Sequence, residues 1–385
     1  MRILHFVPDI GVANGVMSVV LNYFRAMPED IKFDIMYFKE CERDRRAEIE
    51  ALGGRVFRIN TPGIKSFVSS ELDGFFEEHK GEYAAVHIHA PYMICLIAPK
   101  AKKHGIKKVA AHCHSTLFSL NPDNLRRNQL LNVPTRFLAD KLFACGREAG
   151  RYWYGKDSRF TVLPNAIDCA SYAFSLEKRS AARDEFGIGD STLVVGHVGV
   201  TSPPLKNHPY LLRVFAEIKK EHPDAVLLMA GAEETDELKE LAEGLGISGS
   251  AHFLGRRSDI SQLLSAMDVF IFPSFREGLP VSVVEAQAAG LPVLMSDTVT
   301  DEVCITDHIK RLSIDADPVA WAKEVETMPG DLRAAAFEKV KECGWDINKC
   351  AKTLVEFYER GENNAENTEG DTFLLVRRSR ISRSH

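Results

Sequence analysis

Short apolar runs alternate along the chain with stretches whose apolar residues recur every three or four positions. The runs predict strands over Arg2–Val7, Phe33–Phe38, Val56–Ile59, Ala85–His89, Lys108–His114, Lys141–Cys145 and Phe160–Pro164. Helical periodicity between them predicts helices such as Val16–Met27, Arg43–Leu52, Met93–His104 and Arg147–Tyr154. Continuous apolar runs suit strands covered on both faces, which means a parallel sheet with crossover helices. From Pro164 to Asp190 the pattern lapses into polar, charge-rich sequence and then restarts. The second series predicts strands Leu193–Gly199, Ala225–Gly231, Ala251–Gly255, Val269–Ser274 and Leu291–Ser296. Its helices fall at Asn207–His222, Thr235–Leu245, Asp259–Met267 and Val281–Ala289. Two such series predict two doubly wound α/β lobes, with ligands at the carboxyl ends of strands and a cleft lined from both sides. The expected division is 1–165 for the first lobe, 166–190 for a linker and 191–345 for the second. The tail 361–385, acidic and then basic, reads as unstructured.

Composition narrows the classes. The 385 residues are 45% hydrophobic and carry 48 basic against 54 acidic side chains, a net charge of -6. That supports two cores and argues against wholesale disorder and a dedicated nucleic-acid binder. The N-terminal MRILHFVPDIG has one basic residue and a short apolar run stopped by Pro8 and Asp9. This is too short for a secretory signal, and no stretch approaches the ~20 apolar residues of a membrane span. The eight cysteines form no CxxC pair and mostly sit in apolar runs. They read as buried reduced thiols in a cytoplasmic protein.

The most informative segment is Ser274–Ala286, SFREGLPVSVVEA. It leaves one predicted strand and enters a helix, whose free N–H groups and positive dipole end suit a phosphate. Gly278 lets the backbone approach a ligand, and Pro280 suits a helix start. Glu277 precedes the helix and Glu285 lies inside it, so each could meet a different hydroxyl-bearing part of one ligand. Singly, Glu277 reads as a cap and Glu285 as a solvated helix residue. The whole string resembles the E-x7-E signature of the retaining GT-B glycosyltransferases of family four, with EGLPVSVVEAQAAGLPV intact. The resemblance covers residues 1 to about 360 and is nearest to bacterial enzymes that build exopolysaccharide or capsule repeats. It implies two Rossmann-like domains facing an interdomain cleft, with a last helix, about 346–360, returning to the first.

The resemblance also implies roles. Glu277 would bind hydroxyls of the donor sugar, Glu285 would take the ribose hydroxyls, and amides near Gly278, Leu279 and Val281 would meet the diphosphate. Carboxylates suit diols because each oxygen accepts charge-assisted hydrogen bonds. The loop Pro8–Val16 is by itself an ordinary turn, without GxGxxG; the family places its donor phosphates against the position of Gly15. In Val109–Ser115, His112 and His114 share one strand face and offer at most a ligand pair, and His87 and His89 have the same spacing. No metal is therefore expected. The family points to His114 as facing the donor sugar, with His89 and His112 less clearly assigned. Lys206 and Asn207 match the family's phosphate-binding G-R-x-x-x-x-K-N string, but Val200 or Thr201 stands in the arginine place. That departure removes one of two expected cations and leaves Arg256 as a substitute, at a position where the family meets the nucleobase. Asn165, in Leu163–Asp168, resembles the lobe junction.

Residues Asn124–Trp153 interleave Arg126, Arg127, Arg136, Arg147 and Arg151 with Leu130, Leu131, Phe137, Tyr152 and Trp153. An amphipathic helix with a solvated face accounts for this; anionic lipid headgroups would also fit. The resemblance implies hexosyl transfer from a nucleotide sugar, preferably a UDP-sugar, to a glycan or lipid-linked acceptor. It further implies retention, no metal and no cofactor, with visits to the inner face of the cell membrane. A sugar-nucleotide epimerase of the same fold and a catalytically weak nucleotide-sugar-binding protein stay open.

Overall fold

The computed structural model describes residues 1–12, 14–61, 69–119, 121–201, 204–328 and 333–359; the tail 361–385 lies outside them. The first lobe is built on β1 (Arg2–Phe6), β2 (Lys32–Tyr37), β3 (Val56–Arg58), β4 (Tyr83–Ile88), β5 (Lys108–Cys113), β6 (Lys141–Ala144) and β7 (Thr161–Val162). They form one sheet in the order β3-β2-β1-β4-β5-β6-β7, with parallel neighbours throughout. The second lobe holds β8 (Val194–Val198), β9 (Val226–Ala230), β10 (Ala251–Phe253), β11 (Val269–Phe272), β12 (Val293–Ser296) and β13 (Ile309–Leu312). Their order is β10-β9-β8-β11-β12-β13, again parallel.

Both sheets reverse their winding once, between β1 and β4 and between β8 and β11. Strand ends at such a switch point diverge and leave a crevice, the usual ligand seat of a doubly wound sheet. One apolar cluster runs from the first lobe (Phe6, Ile88, Val109) into the second (Phe270, Val283, Met295) and forms the joint. A second cluster covers the other face of the first sheet, where the helix Ile347–Glu359 contributes Ile347, Leu354 and Tyr358. This last helix is tied down by backbone bonds between Ile167 and the segment around Asp346, and by Lys108, whose ammonium donates to the Tyr358 carbonyl at 2.6 Å.

The stretch 166–190, expected as a linker on its polar composition, is folded and packs on the second lobe. It contains the helices Cys169–Tyr172 and Leu176–Glu185, the second capped by Ser175. Arg183 is 1% exposed there and donates to the carbonyls of Gly189, Asp190, Thr192 and Ala266, with Asp268 as its counter-ion. A buried arginine that satisfies its donors this way replaces an apolar anchor, so a charge-rich string can still fold against the lobe. All eight cysteines are free; Cys113, Cys145, Cys169 and Cys350 are buried, while the other four are partly exposed. Among the described residues no helix is long and apolar enough to cross a membrane.

Candidate active site between the lobes

The β8–β11 switch point gathers the second lobe's share of the site. Because β8 and β11 are neighbours, the loops that follow them meet. Lys206 ends a short 3-10 turn after β8, and its ammonium lies 2.8 Å from Glu277, which follows β11. The same nitrogen stands 4.5 Å from the centre of the Phe272 ring. Two features aim it. A Cβ on Gly199 would fall 2.8 Å from Lys206 Cγ, so glycine clears the path of the lysine stem. Asn207, with φ of 55°, is the one non-glycine left-handed residue among those described, and it turns the chain sharply into the helix His208–Glu221. Asparagine tolerates that conformation better than most residues.

Glu277 also accepts from the Ser274 hydroxyl at 3.3 Å. Pro280 then opens the helix Val281–Ala288 with no side-chain cap. The first N–H groups of an uncapped helix lack internal partners and carry its positive dipole end. Leu279 and Pro280 are buried, whereas Gly278, Val281 and Ser282 are partly exposed, so this helix start reaches the lobe junction without being sealed.

The first lobe closes on that start closely. A Cβ on Gly278 would lie 3.0 Å from Ser115 Cα and 3.2 Å from the His114 carbonyl. Asn165 bridges the lobes by donating through Nδ2 to the Leu279 carbonyl at 3.3 Å, and its Oδ1 faces His114 Nδ1, also at 3.3 Å. Glu302 of the second lobe accepts from the backbone N–H groups of Arg147 and Glu148, at 2.6 and 2.7 Å, at the start of the first-lobe helix Arg147–Tyr154. Gly146 provides no side-chain cap to that helix, so the cap comes from across the joint. A cavity of about 460 Å³ borders Glu277, lined by Thr116 and Glu148 from the first lobe and Arg276, Asp297 and Arg311 from the second.

The histidines form a ladder that the sequence reading underestimated. Strand register places His5 of β1 opposite His87 of β4, and His89, His112 and His114 stack beside them, with ring centroids 4.1 to 5.5 Å apart for adjoining pairs. The expectation of at most a ligand pair counted neighbours along one strand; parallel pairing adds ligands from others. His5 Nδ1 lies 2.9 Å from His89 Nε2, and His89 Nδ1 lies 2.8 Å from His114 Nε2. Since Asn165 donates through Nδ2 to Leu279, its Oδ1 must accept from His114 Nδ1. That choice fixes three of the five rings: His114 accepts from His89 Nδ1, and His89 accepts from His5 Nδ1. Burial holds the ladder neutral, pushing His5 down to about 3 and His114 to about 4, with His87, His89 and His112 also well below the usual imidazole range.

Glu285 stands apart from this group. Its Oε1 accepts from the Tyr172 hydroxyl at 2.7 Å, and burial raises its pKa to about 7 against the opposing effect of that bond. Gly15 begins the first helix, capped by Asn14, and a Cβ there would meet nothing within 4 Å. Packing does not demand glycine at that point; a ligand approaching the backbone would. Arg256 is exposed. Burial lowers the pKa of Arg45, and the charges of Arg25 and Arg256 push the same way. Arg45 donates to the Val12 carbonyl and the Ser18 hydroxyl, beside the loop that ends in Gly15. Sequence reading missed Arg45, Tyr172, Glu302 and His5, none of which sits in a recognisable string.

Residues 178–330 match the family model of glycosyl transferases, group 1. The chain is also 30% identical over 380 residues to the putative glycosyltransferase EpsF of Bacillus subtilis, covering 93% of this chain and 96% of that one. The chain belongs to the group 1 glycosyltransferases. Within that family it is 30% identical over 148 residues, 37% of this chain and 38% of the other, to the UDP-Gal:alpha-D-GlcNAc-diphosphoundecaprenol alpha-1,3-galactosyltransferase of Escherichia coli. The glycosyltransferase also shares its GT-B fold with Anabaena HepE, solved in complex with UDP and glucose, at a TM-score of 0.75 and 18% identity over 92% of this chain and 98% of that one.

Proposed function

We infer that this glycosyltransferase moves a hexosyl unit from a UDP-sugar to a glycan or lipid-linked glycan in surface polysaccharide synthesis, with retention at the anomeric carbon. The observation that carries the reading is the Lys206–Glu277 pair beside the uncapped helix start at Val281, closed from the first lobe by His114 and Asn165. Lys206 and the helix-start N–H groups are preorganised for the charge that grows on a departing diphosphate. Glu277 accepts from sugar hydroxyls while holding that lysine in place. Glu285, with Tyr172 behind it, takes the ribose. The missing arginine at Val200 or Thr201 is offset by Arg45 and Arg256, whose mutual repulsion an anion between them would relieve. With these cations, no metal is needed on the diphosphate.

In the transfer the bond from the anomeric carbon to the diphosphate oxygen breaks, and the acceptor oxygen bonds that carbon on the same face. The acceptor proton passes to the departing phosphate oxygen. The cavity bordering Glu277 suits the acceptor. The UDP-Gal donor and diphosphoundecaprenol-linked acceptor in the Escherichia coli relative's name, and the UDP and glucose held by HepE, support a UDP-sugar and a lipid-linked glycan. Leu130, Val133 and Phe137 are 73%, 61% and 71% exposed, beside exposed Arg126, Arg127 and Arg136. This apolar and basic face supports work at the inner surface of the cell membrane.

The test is a panel of UDP-sugars with a lipid-linked acceptor, the product's anomeric configuration being read by NMR. Retained product is expected from the parent, and Lys206→Ala should lower kcat/KM by about 10²–10³, as loss of one preorganised donor does. Donor turnover without acceptor would instead indicate an epimerase; donor binding without turnover would indicate a binding protein.

A further inference from the structure

We propose that the histidine ladder of the first lobe binds one divalent transition-metal ion through His89, His112 and His114. Each ring offers a nitrogen within 4.8 Å of the others. Tetrahedral ligands at ~2.0–2.1 Å from zinc stand about 3.4 Å apart, so the 2.8 Å between His89 Nδ1 and His114 Nε2 needs only a slight opening.

Protons alone leave the ladder incomplete. The hydrogen-bonded chain from His5 to Asn165 occupies both nitrogens of His89 and His114, and His87 Nδ1 lies 2.6 Å from the Tyr358 hydroxyl. His5 Nε2, His87 Nε2 and both nitrogens of His112 stay buried without a hydrogen-bond partner. His112 is 1% exposed, so its N–H and its lone pair are both shut away from bulk water. Each such group is costly when unmet, and a bound ion or water is one way to satisfy it. The Leu163 backbone lies near His112, without a hydrogen bond of ordinary geometry, where an acceptor would orient a ligating ring.

The proton count also closes. Metal on His89 Nδ1 moves that ring's proton to Nε2, which then donates to His5 Nδ1, and His5 carries its own proton on Nε2. Every ring stays neutral, as metal-bound imidazole requires, and none has to lose a proton to solvent. An all-imidazole set favours zinc, copper, nickel or cobalt over magnesium or calcium. His114 is partly exposed, which gives solvent access and leaves a fourth position for water. Such a metal would pin the ends of β4 and β5 beside the cleft. The inference is independent of sugar transfer, because its readout is metal binding.

The experiment strips the full chain with chelator and titrates it with cobalt(II), following the visible absorption of tetrahedral cobalt and its loss on adding zinc. One cobalt per chain and a zinc-dependent rise in thermal midpoint are expected. His112→Asn should weaken binding by more than about tenfold, since even outer-shell losses reach that size; His114→Asn should do the same if the first variant fails to fold. His87→Asn should bind as the parent does, because His87 hydrogen-bonds to Tyr358 and to none of the three ligating rings. Absence of a stoichiometric cobalt band and of any zinc-dependent shift overturns the proposal. So does full affinity in a folded His112→Asn chain, and so does loss on His87→Asn alone, which would put the ion at His5, His87 and His89.

Discussion

Replacing Glu285 by glutamine should make the protein more stable at neutral pH and less able to hold a nucleotide. The carboxylic acid titrates at about 7 in the folded chain against an ordinary 4.5. Between those values the folded state holds a proton that the unfolded chain has released. Stability therefore falls as pH rises through this window, and at about 1.4 kcal/mol per pH unit the loss reaches about 3 kcal/mol. Glutamine has the same shape and still accepts from the Tyr172 hydroxyl, but it does not ionise. Urea unfolding at pH values from about 4 to 8, followed by tryptophan fluorescence, compares the two chains; Trp321 reports from within the second-lobe core. Their difference should be near zero at the acid end and approach about 3 kcal/mol in favour of Glu285→Gln at the other. Other titrating groups cancel in that difference. A constant difference across the range would refute the burial argument for Glu285. UDP affinity should fall in the same variant, because a neutral amide accepts ribose hydroxyls less strongly than a carboxylate.

Other perturbations test the remaining parts. Gly278→Val places atoms against Ser115 and should lower transfer about a hundredfold, the effect of roughly 1 Å of misplacement, with an unchanged circular dichroism spectrum. Asn207→Gly should keep the parent's stability while Asn207→Ala loses about 1 kcal/mol in denaturant melts, since only the first relieves the left-handed turn. Phe137→Glu should reduce co-sedimentation with anionic vesicles and leave UDP affinity intact; equal sedimentation would remove that face from the membrane account.

How much was legible in the sequence follows from burial. The first-lobe strands β1, β2, β4, β5 and β6 announce themselves because strands covered on both faces are continuous apolar runs, whereas the edge strands β3 and β7 are short and only partly buried. The strand Ile309–Leu312 does not, because it sits at the sheet edge with Lys310 and Arg311 exposed. The helix Leu176–Glu185 was hidden by its charges, one of which is buried and satisfied by carbonyls. In the site, Glu277, Lys206 and Gly278 lie on loops fixed by local strings and come together as neighbouring strands require. The partners Tyr172, Glu302 and Arg45 belong to no string, since each acts across a long separation. His5 was overlooked for a related reason: strand pairing, not spacing, makes it a neighbour of His87 and His89.

A crystal structure of the chain grown with UDP reaches the central claim most directly. The account predicts the diphosphate at the start of the helix Val281–Ala288, within hydrogen-bond distance of Lys206 Nζ, with the ribose on Glu285. UDP seated elsewhere, while Lys206 stays paired with Glu277 alone, would contradict it.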